Sequence, residues 1–278
     1  MIPARNEAGA IGELVEQIFC LYPMAEVIVV DDGSTDGTGV VASSAGARVL
    51  SHPRSIGNGA AIKSGARVAK YDALVLMDGD GQHSASDLGR LLLEYEKGYD
   101  LVVGARSSRE MHSSLVRWAG NTLYNGLASI VTGTRITDLT SGFRVVNREK
   151  FITILHLLPN KFSYPTTSTI AFLRMGFSVG FCTVGVKPKL TGSHIRVLQD
   201  GGRFFIIIFK ISFLFSPFKV LLPLSIMQFF IGLMLYLPGL TSAAPSFTNG
   251  MALLLTGGVI TLGIGILSEL ITTLLYKT

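Results

Sequence analysis

Cysteine is scarce in this sequence: Cys20 and Cys182 are the only two in 278 residues. Two thiols so far apart form neither a disulfide framework nor a metal knuckle, so both are expected to be free, buried and in a reducing compartment. Charge is sparse as well, at 15% of residues, and the net charge of +5 is spread without a basic block. With no nucleic-acid-binding motif present, that balance fits a surface near anionic lipid or a site for a phosphorylated substrate better than a nucleic-acid partner, and none is expected. The opening residues "MIPARNEAGA" lack the apolar core of a cleavable signal peptide.

Apolar residues are abundant but unevenly placed. They make up 48% of the chain, and the mean hydropathy is +0.46. Up to about Asp200 charges are interspersed, as in a globular domain. Beyond it, Phe218 to Leu240 carries only Lys219 and Gly250 to Leu275 only Glu269. Each run can cross a hydrocarbon core of ~30 Å, which takes ~20 helical residues. The alternative, two buried core helices, normally shows a polar face that these runs lack. The link "TSAAPSFTN" has no Lys or Arg, whereas Lys210, Lys219 and Lys277 flank the pair. The positive-inside bias then puts the globular part in the cytoplasm. The expected organisation is a catalytic domain over 1–200, an interfacial helix over 201–217 and a transmembrane hairpin over 218–278. The interfacial reading rests on isolated basic residues among bulky apolar ones in "DGGRFFIIIFKISFLFSPFK"; packing against the catalytic domain is the other use of such a helix. A lone two-helix hairpin also makes self-association plausible.

The globular part reads as repeated strand and helix. "AEVIVVDDGSTDGTGVVASSAG" runs from strand through a polar turn into a helix, and "ARVLSHP" is another strand. "GNGAAIKSGARVAKYDALVLMDGDG" and "DLGRLLLEYEKGYDLVVGAR" each give helix then strand. That alternation predicts an α/β fold with a doubly wound, mostly parallel sheet, whose ligands collect at the carboxyl ends of the strands. The first strand is represented only by "MIP", so either the true N-terminus lies upstream or the sheet edge is built from a stub. Asp31, Asp32, Asp78, Asp80 and Arg106 all follow predicted strands.

Two acidic motifs carry the chemistry. In "VVDDGSTDGT", Ser34, Thr35 and Asp36 suit a tight turn and helix capping, whereas Asp32 at the strand end can accept hydrogen bonds from a base or ribose. In "MDGDGQH", two carboxylates flank one glycine. Like charges that close need full solvation or a cation. Asp78, Asp80 and Gln82 offer hard oxygen donors for Mg²⁺ or Mn²⁺, which are commonly shared with substrate phosphates. His83, in the same polar loop, is expected at the surface.

"IPARNE", "VVDDGSTDGT", "MDGDGQH", "VVGAR" and "DLTSGFRVVNR" occur in the order found in inverting, GT-A-fold family 2 glycosyltransferases. With its trailing hairpin the chain resembles the dolichol-phosphate mannose synthase and polyprenyl-phosphate glycosyltransferase branch. The resemblance implies that Pro3, Arg5, Glu7, Val30 and Asp32 contact the nucleoside of a nucleotide-sugar donor. Arg5 stands where mannose synthases commonly have tyrosine, and its guanidinium can stack on a base. Asp78 and Gly79 border the diphosphate and sugar, while Asp80 and Gln82 hold the metal. On the acceptor side the resemblance implies Arg106 and Arg117 as phosphate forks, Asp138 and Ser141 near the acceptor, and Arg144 orienting that loop. In "KPKLTGSHIRVLQDGGRF" Lys189 takes the place of a usual arginine, with Ser193, His194 and Arg196 as possible partners.

The implied reaction is attack by a polyprenyl-phosphate oxygen on the anomeric carbon of an activated hexose, with inversion. A phosphate monoester has a second pKa of ~6, so this nucleophile needs no strong general base. Asp78, Asp80 and Arg106 are the catalytic candidates. Open alternatives are a diacylglycerol lipid or polysaccharide acceptor, although "LVRWAG" lacks the QxxRW pattern of processive synthases, and a nonenzymatic scaffold that keeps the fold. The sugar and base are left open.

Overall fold

The computed structural model describes residues 1–106, 122, 124–126, 128–130, 132–161, 163–185, 213, 216–240 and 248–275. The chain divides into two compact units, Met1–Gly202 and Arg203–Thr278.

In the first unit, strands and helices alternate as the sequence predicts. The order is β1 (Ile2–Ala4), α1 (Ala8–Leu21), β2 (Ile28–Asp31), α2 (Thr38–Ser44), β3 (Arg48–Ser51), α3 (Asn58–Val68), β4 (Ala73–Leu76), α4 (Asp87–Tyr95) and β5 (Leu101–Arg106). Then follow β6 (Arg144–Asn147), α5 (Arg148–Thr153), α6 (Tyr164–Arg174) and β7 (Val179–Val184). Helix α1 shows why: Ile11, Leu14, Val15 and Ile18 recur at helical spacing and are all buried. They pack with Val29, Val102 and Val145 from three strands, and with Met77 just past β4, into one core.

Parallel pairing joins β1 to β2 and β2 to β3, and β7 runs parallel to β5. The amino group of Met1 donates to Val75 O at 2.8 Å and Met77 N to Met1 O at 3.2 Å, which sets β1 beside β4. The strands form two sheets, β1-β2-β3 and β4-β6-β5-β7, and these two bonds from Met1 bring β1, the edge strand of the first, alongside β4 of the second.

Strand β6 was not read from the sequence as a strand. It pairs antiparallel with both β4 and β5. Arg144 lies opposite Leu76 on one side and Val103 on the other. This reversal places the start of β6, with the loop before it, at the same edge as the carboxyl ends of β1, β2, β4 and β5. The thiols depart from expectation: Cys20 is exposed and Cys182 is half-buried, because Cys20 falls off the buried face of α1.

The second unit contains α7 (Pro217–Leu240) and α8 (Asn249–Leu275). Ser225 Oγ donates to Gly258 O at 2.9 Å, and Phe218 N bonds to Glu269 Oε2 at 3.3 Å. Their most apolar windows are only 17% buried. A core helix of a soluble protein would bury most of that surface, so these faces suit lipid. Most of the 201–217 segment read as an interfacial helix lies outside the described residues.

Candidate active site

Two loops from β1 and β2 interlock. Asn6 N bonds Ser34 Oγ at 3.0 Å, Thr35 N bonds Asn6 Oδ1 at 2.9 Å, and Glu7 N bonds Thr38 Oγ1 at 2.9 Å. Asp36 accepts from Ala8 N at 3.0 Å and from Thr38, and so caps the start of α1 as its turn position suggests. Pro3 and Val30 are register partners and both are buried, while Arg5 is exposed. Ala4 O takes the hydrogen bond of Asp32 N at 2.9 Å.

Asp32 is engaged on both carboxylate oxygens. Oδ1 accepts from His52 Nδ1 (2.7 Å) and Ile56 N (2.9 Å), and Oδ2 from Ser55 Oγ (2.8 Å) and Gly57 N (2.8 Å). Burial alone would raise its pKa, but these hydrogen bonds, led by His52, hold it down at about 2. His52 in turn reaches Ser64 Oγ at 3.0 Å. The contact is tight because Gly33, at φ +71°, brings the turn against Arg54 and Ser55, where a Cβ would come within 2.7 Å of backbone. Asp32 thus pins the loop that leads into α3.

The first residue of α3, Asn58, hydrogen-bonds the Asp78 carboxylate from its side chain. Sequence reading did not single out Asn58; its only signal is the "GNG" turn at a helix start. Gly79 packs against β1, where a Cβ would lie 3.2 Å from Pro3 O. Burial, then repulsion from Asp80, raises the Asp78 pKa against the opposing pull of His83, Asn58 and Arg144. The acid pair is therefore electrostatically unbalanced in the protein alone. Asp80 Oδ1 accepts from Gln82 N at 3.2 Å, so these two side chains share one turn.

His83 is not the surface residue expected. It is 8% exposed and stacks on Phe143, a residue remote in sequence and so invisible to local pattern.

The loop before β6 supplies the other wall. Asp138 receives the Arg106 fork, with Nε to Oδ2 at 2.8 Å and Nη2 to Oδ1 at 3.0 Å, and Thr140 Oγ1 also accepts from Nη2. Gly142 lies against the acid pair, since a Cβ there would stand 2.6 Å from Asp78 Oδ2. Ser141 is buried, and among the described residues its Oγ has no partner. Arg144, fully buried, donates to Pro165 O (3.0 Å), Ser168 Oγ (2.8 Å) and Ser141 O, which fits the orienting task implied for it. Arg117, Lys189, Ser193, His194 and Arg196 lie outside the described residues.

A divalent ion suits this chemistry. Among the described residues no three His, Cys, Asp or Glu side chains gather to enclose one. Asp80 and Gln82 instead offer oxygen donors beside Asp78, whose pKa burial and Asp80 raise, a set that suits an ion completed by substrate phosphates and water.

The sequence profile described as Glycosyl transferase family 2 matches residues 1–155, and that described as GtrB C-terminal hairpin matches 216–274. A polyprenol monophosphomannose synthase from Mycolicibacterium smegmatis is 31% identical over 220 residues, 70% of this chain and 82% of the relative. Glycosyltransferase AglJ from Haloferax volcanii is 29% identical over 215 residues, 76% and 70% of the two chains. An undecaprenyl-phosphate mannosyltransferase from Micrococcus luteus is 36% identical over 163 residues, 52% and 63%. Among solved structures, glucosyl-3-phosphoglycerate synthase from Mycobacterium tuberculosis, in complex with Mn²⁺ and UDP-glucose, superposes with a TM-score of 0.58 at 24% identity, covering 75% of this chain and 76% of that one. This last likeness is one of fold.

Proposed function

The chain belongs to glycosyl transferase family 2, and from that premise we propose that it transfers a hexose from a nucleotide sugar to a polyprenyl phosphate, inverting the anomeric carbon, at the cytoplasmic face of a membrane. The observation that carries this reading is the union, in one chain, of the Asp78–Asp80 acid pair with a GtrB-type hairpin. Two relatives named for polyprenyl acceptors support it.

The β1 and β2 loops, with Pro3, Arg5, Glu7, Val30 and Asp32, receive the nucleoside. Asp32 acts there with its carboxylate already committed to the loop before α3, so that it shapes the pocket while bordering it. Asp78 and Gly79 flank the diphosphate and sugar. Asp80 and Gln82 hold Mg²⁺ or Mn²⁺, which when bound supplies positive charge to the departing diphosphate. A neighbour of the same fold is described in complex with Mn²⁺ and UDP-glucose, which agrees with a metal-assisted reading.

The acceptor phosphate is already ionised near neutral pH, so the protein's task is alignment. Arg106, Arg117, Ser141, Lys189 and Ser193 serve it. An isoprenoid tail stays in the bilayer, where each buried CH₂ contributes ~0.8 kcal/mol, and the hairpin keeps the enzyme at that surface. Lys219 and Lys277 at the hairpin ends favour the cytoplasmic orientation.

The test is a panel of GDP-mannose, UDP-glucose and UDP-GlcNAc with Mn²⁺ and a short-chain polyprenyl phosphate, scored for lipid-linked product. Transfer from at least one donor, abolished in Asp80→Ala with the fold intact, is expected. Product on a diglyceride but not on polyprenyl phosphate reassigns the acceptor, and no nucleotide binding at all leaves a scaffold.

A further inference from the structure

One buried side chain at this site has no task in the reading above. His83 is 8% exposed, and its ring lies against Phe143 with centroids 4.8 Å apart and planes 25° apart. Among the described residues its Nδ1 has no hydrogen-bond partner. The stacking partner is itself fixed: Gly104 N donates to Phe143 O at 2.8 Å, and a Cβ at Gly104 would stand 3.0 Å from the Phe143 ring. The imidazole is thus held in place by a ring that offers no polar atom. Asp78, Asp80 and Asp87 act on it with negative charge and Arg106 with positive charge. It therefore shares its surroundings with both the donor carboxylates and the acceptor-side guanidinium.

An imidazole nitrogen buried without a partner is costly, so a bound group must complete it. A metal ion is the first candidate. Yet His83 does not join Asp78 and Asp80 in a ligand set, since no three such side chains gather around one point among the described residues. A carboxylate partner would have closed already, because three lie within electrostatic reach. What the site takes in, on the glycosyl-transfer reading, is a diphosphate and a phosphate monoester, both rich in acceptor oxygens. A neutral imidazole with its proton on Nδ1 is a donor to such oxygens.

We propose that His83 Nδ1–H donates a hydrogen bond to a phosphoryl oxygen of bound substrate, either the leaving diphosphate or the acceptor monoester. His83 is then a substrate-binding residue of the transfer site, and this inference rests on the function proposed above.

The test uses the full chain in detergent. His83→Phe keeps the stack and removes the donor, His83→Asn keeps an N–H near the Nδ1 position, and His83→Gln moves it toward Nε2. Calorimetry reads the affinity for GDP and UDP with Mn²⁺, and steady-state assays read KM for a short-chain polyprenyl phosphate. A bond to the diphosphate predicts that H83F weakens GDP or UDP by about tenfold and that H83N recovers to within about threefold, with acceptor KM unmoved. A bond to the acceptor predicts the same pattern in KM with nucleotide affinity unmoved. If H83F melts early, the contrast of H83N with H83Q decides, and equal losses in both overturn the proposal. H83F with both constants unchanged overturns it too. So does a ¹⁴N imidazole coupling in the electron spin echo of bound Mn²⁺ that disappears in H83F, which makes His83 a metal ligand. A wild-type protein that binds no nucleoside diphosphate with Mn²⁺ removes the glycosyl-transfer reading itself, whereas normal wild-type binding beside an indifferent H83F removes only the role of His83.

Discussion

Asp138 grips Arg106 edge-on: Nε stands 2.8 Å from Oδ2, Nη2 3.0 Å from Oδ1, and the Arg106 backbone N–H 3.2 Å from Oδ2. The carboxylate is 2% exposed and the arginine side chain 30%. Asn125 steadies the loop that carries Asp138, donating to Thr137 O at 2.8 Å and accepting from Leu139 N at 3.1 Å. A fork fixed on one edge by a buried acid keeps one orientation, which is what a phosphate-binding arginine needs.

Asp138→Ala should therefore lower stability by about 2–3 kcal/mol, below most fully buried pairs because Arg106 keeps some solvent. Acceptor KM should rise more than donor KM. Arg106→Ala added to that background should cost less stability than it does alone, since the pair is already broken. Thermal melts and steady-state kinetics of the cycle check this. Additive stability losses would show that the two residues act separately.

Gly142 leaves no room beside Asp78, with a Cβ placed 2.6 Å from Oδ2 and 3.1 Å from Cγ. Its carbonyl also accepts from the buried Tyr164 hydroxyl at 3.2 Å, so the loop cannot simply back away. Gly142→Ala is expected to displace the Asp78 carboxylate at a cost of about 1–3 kcal/mol. Nucleoside diphosphate affinity in Mn²⁺ should fall with it. Calorimetry checks the affinity, and Gly9→Ala, at a helical glycine with nothing near its Cβ, serves as the stability control.

Much of this site was legible because its chemistry sits at strand ends. The runs before Asp31, Asp78 and Arg106 are short and apolar, and each delivers its charge to one edge by the alternation of strand and helix. What stayed hidden depends on contacts across the fold. "RVVN" reads as the tail of a loop motif, and only pairing with β4 and β5 makes it a strand. His83 looked like a loop residue because Phe143 closes over it from that same insertion. Asp32 advertised a carboxylate at a strand end, but not that His52, Ser55, Ile56 and Gly57 would surround it.

In the hairpin, α7 and α8 approach closely where glycines face bulky side chains. A Cβ at Gly258 would lie 3.0 Å from the Phe229 ring, and Ser225 Oγ bonds the carbonyl of the same glycine at 2.9 Å. Gly258→Ile should push the helices apart and break that bond, whereas Gly263→Ile, which meets nothing within 4 Å, should not. Disulfide trapping of one cysteine pair, placed at 232 and 254, where a Cβ at Gly232 would lie 3.3 Å from that of Leu254, reads the spacing in the Gly258→Ile and Gly263→Ile backgrounds. Equal cross-linking in both would contradict a glycine-set approach.

The His52–Asp32 contact predicts a pH signature in stability. Asp32 titrates at about 2 in the folded protein, against about 3.9 for a free aspartate, a gap worth about 2–3 kcal/mol. Because the folded pKa is the lower one, this contribution is complete above the unfolded value. It declines as pH falls from about 4 toward 2, where the folded carboxylate itself takes up a proton. Asp32→Asn should therefore melt below the wild type by an amount that is constant at neutral pH and shrinks across that acid window. The burial of Asp32 would by itself favour the neutral acid, so the sign of this trend tests whether the four hydrogen bonds outweigh desolvation. Melting curves taken at stepped pH for both proteins measure it. A gap that widens with acid would mean that the carboxylate is strained, not stabilised, by the loop it holds, and the link from Asp32 through Gly57 and Asn58 to Asp78 would lose its anchor.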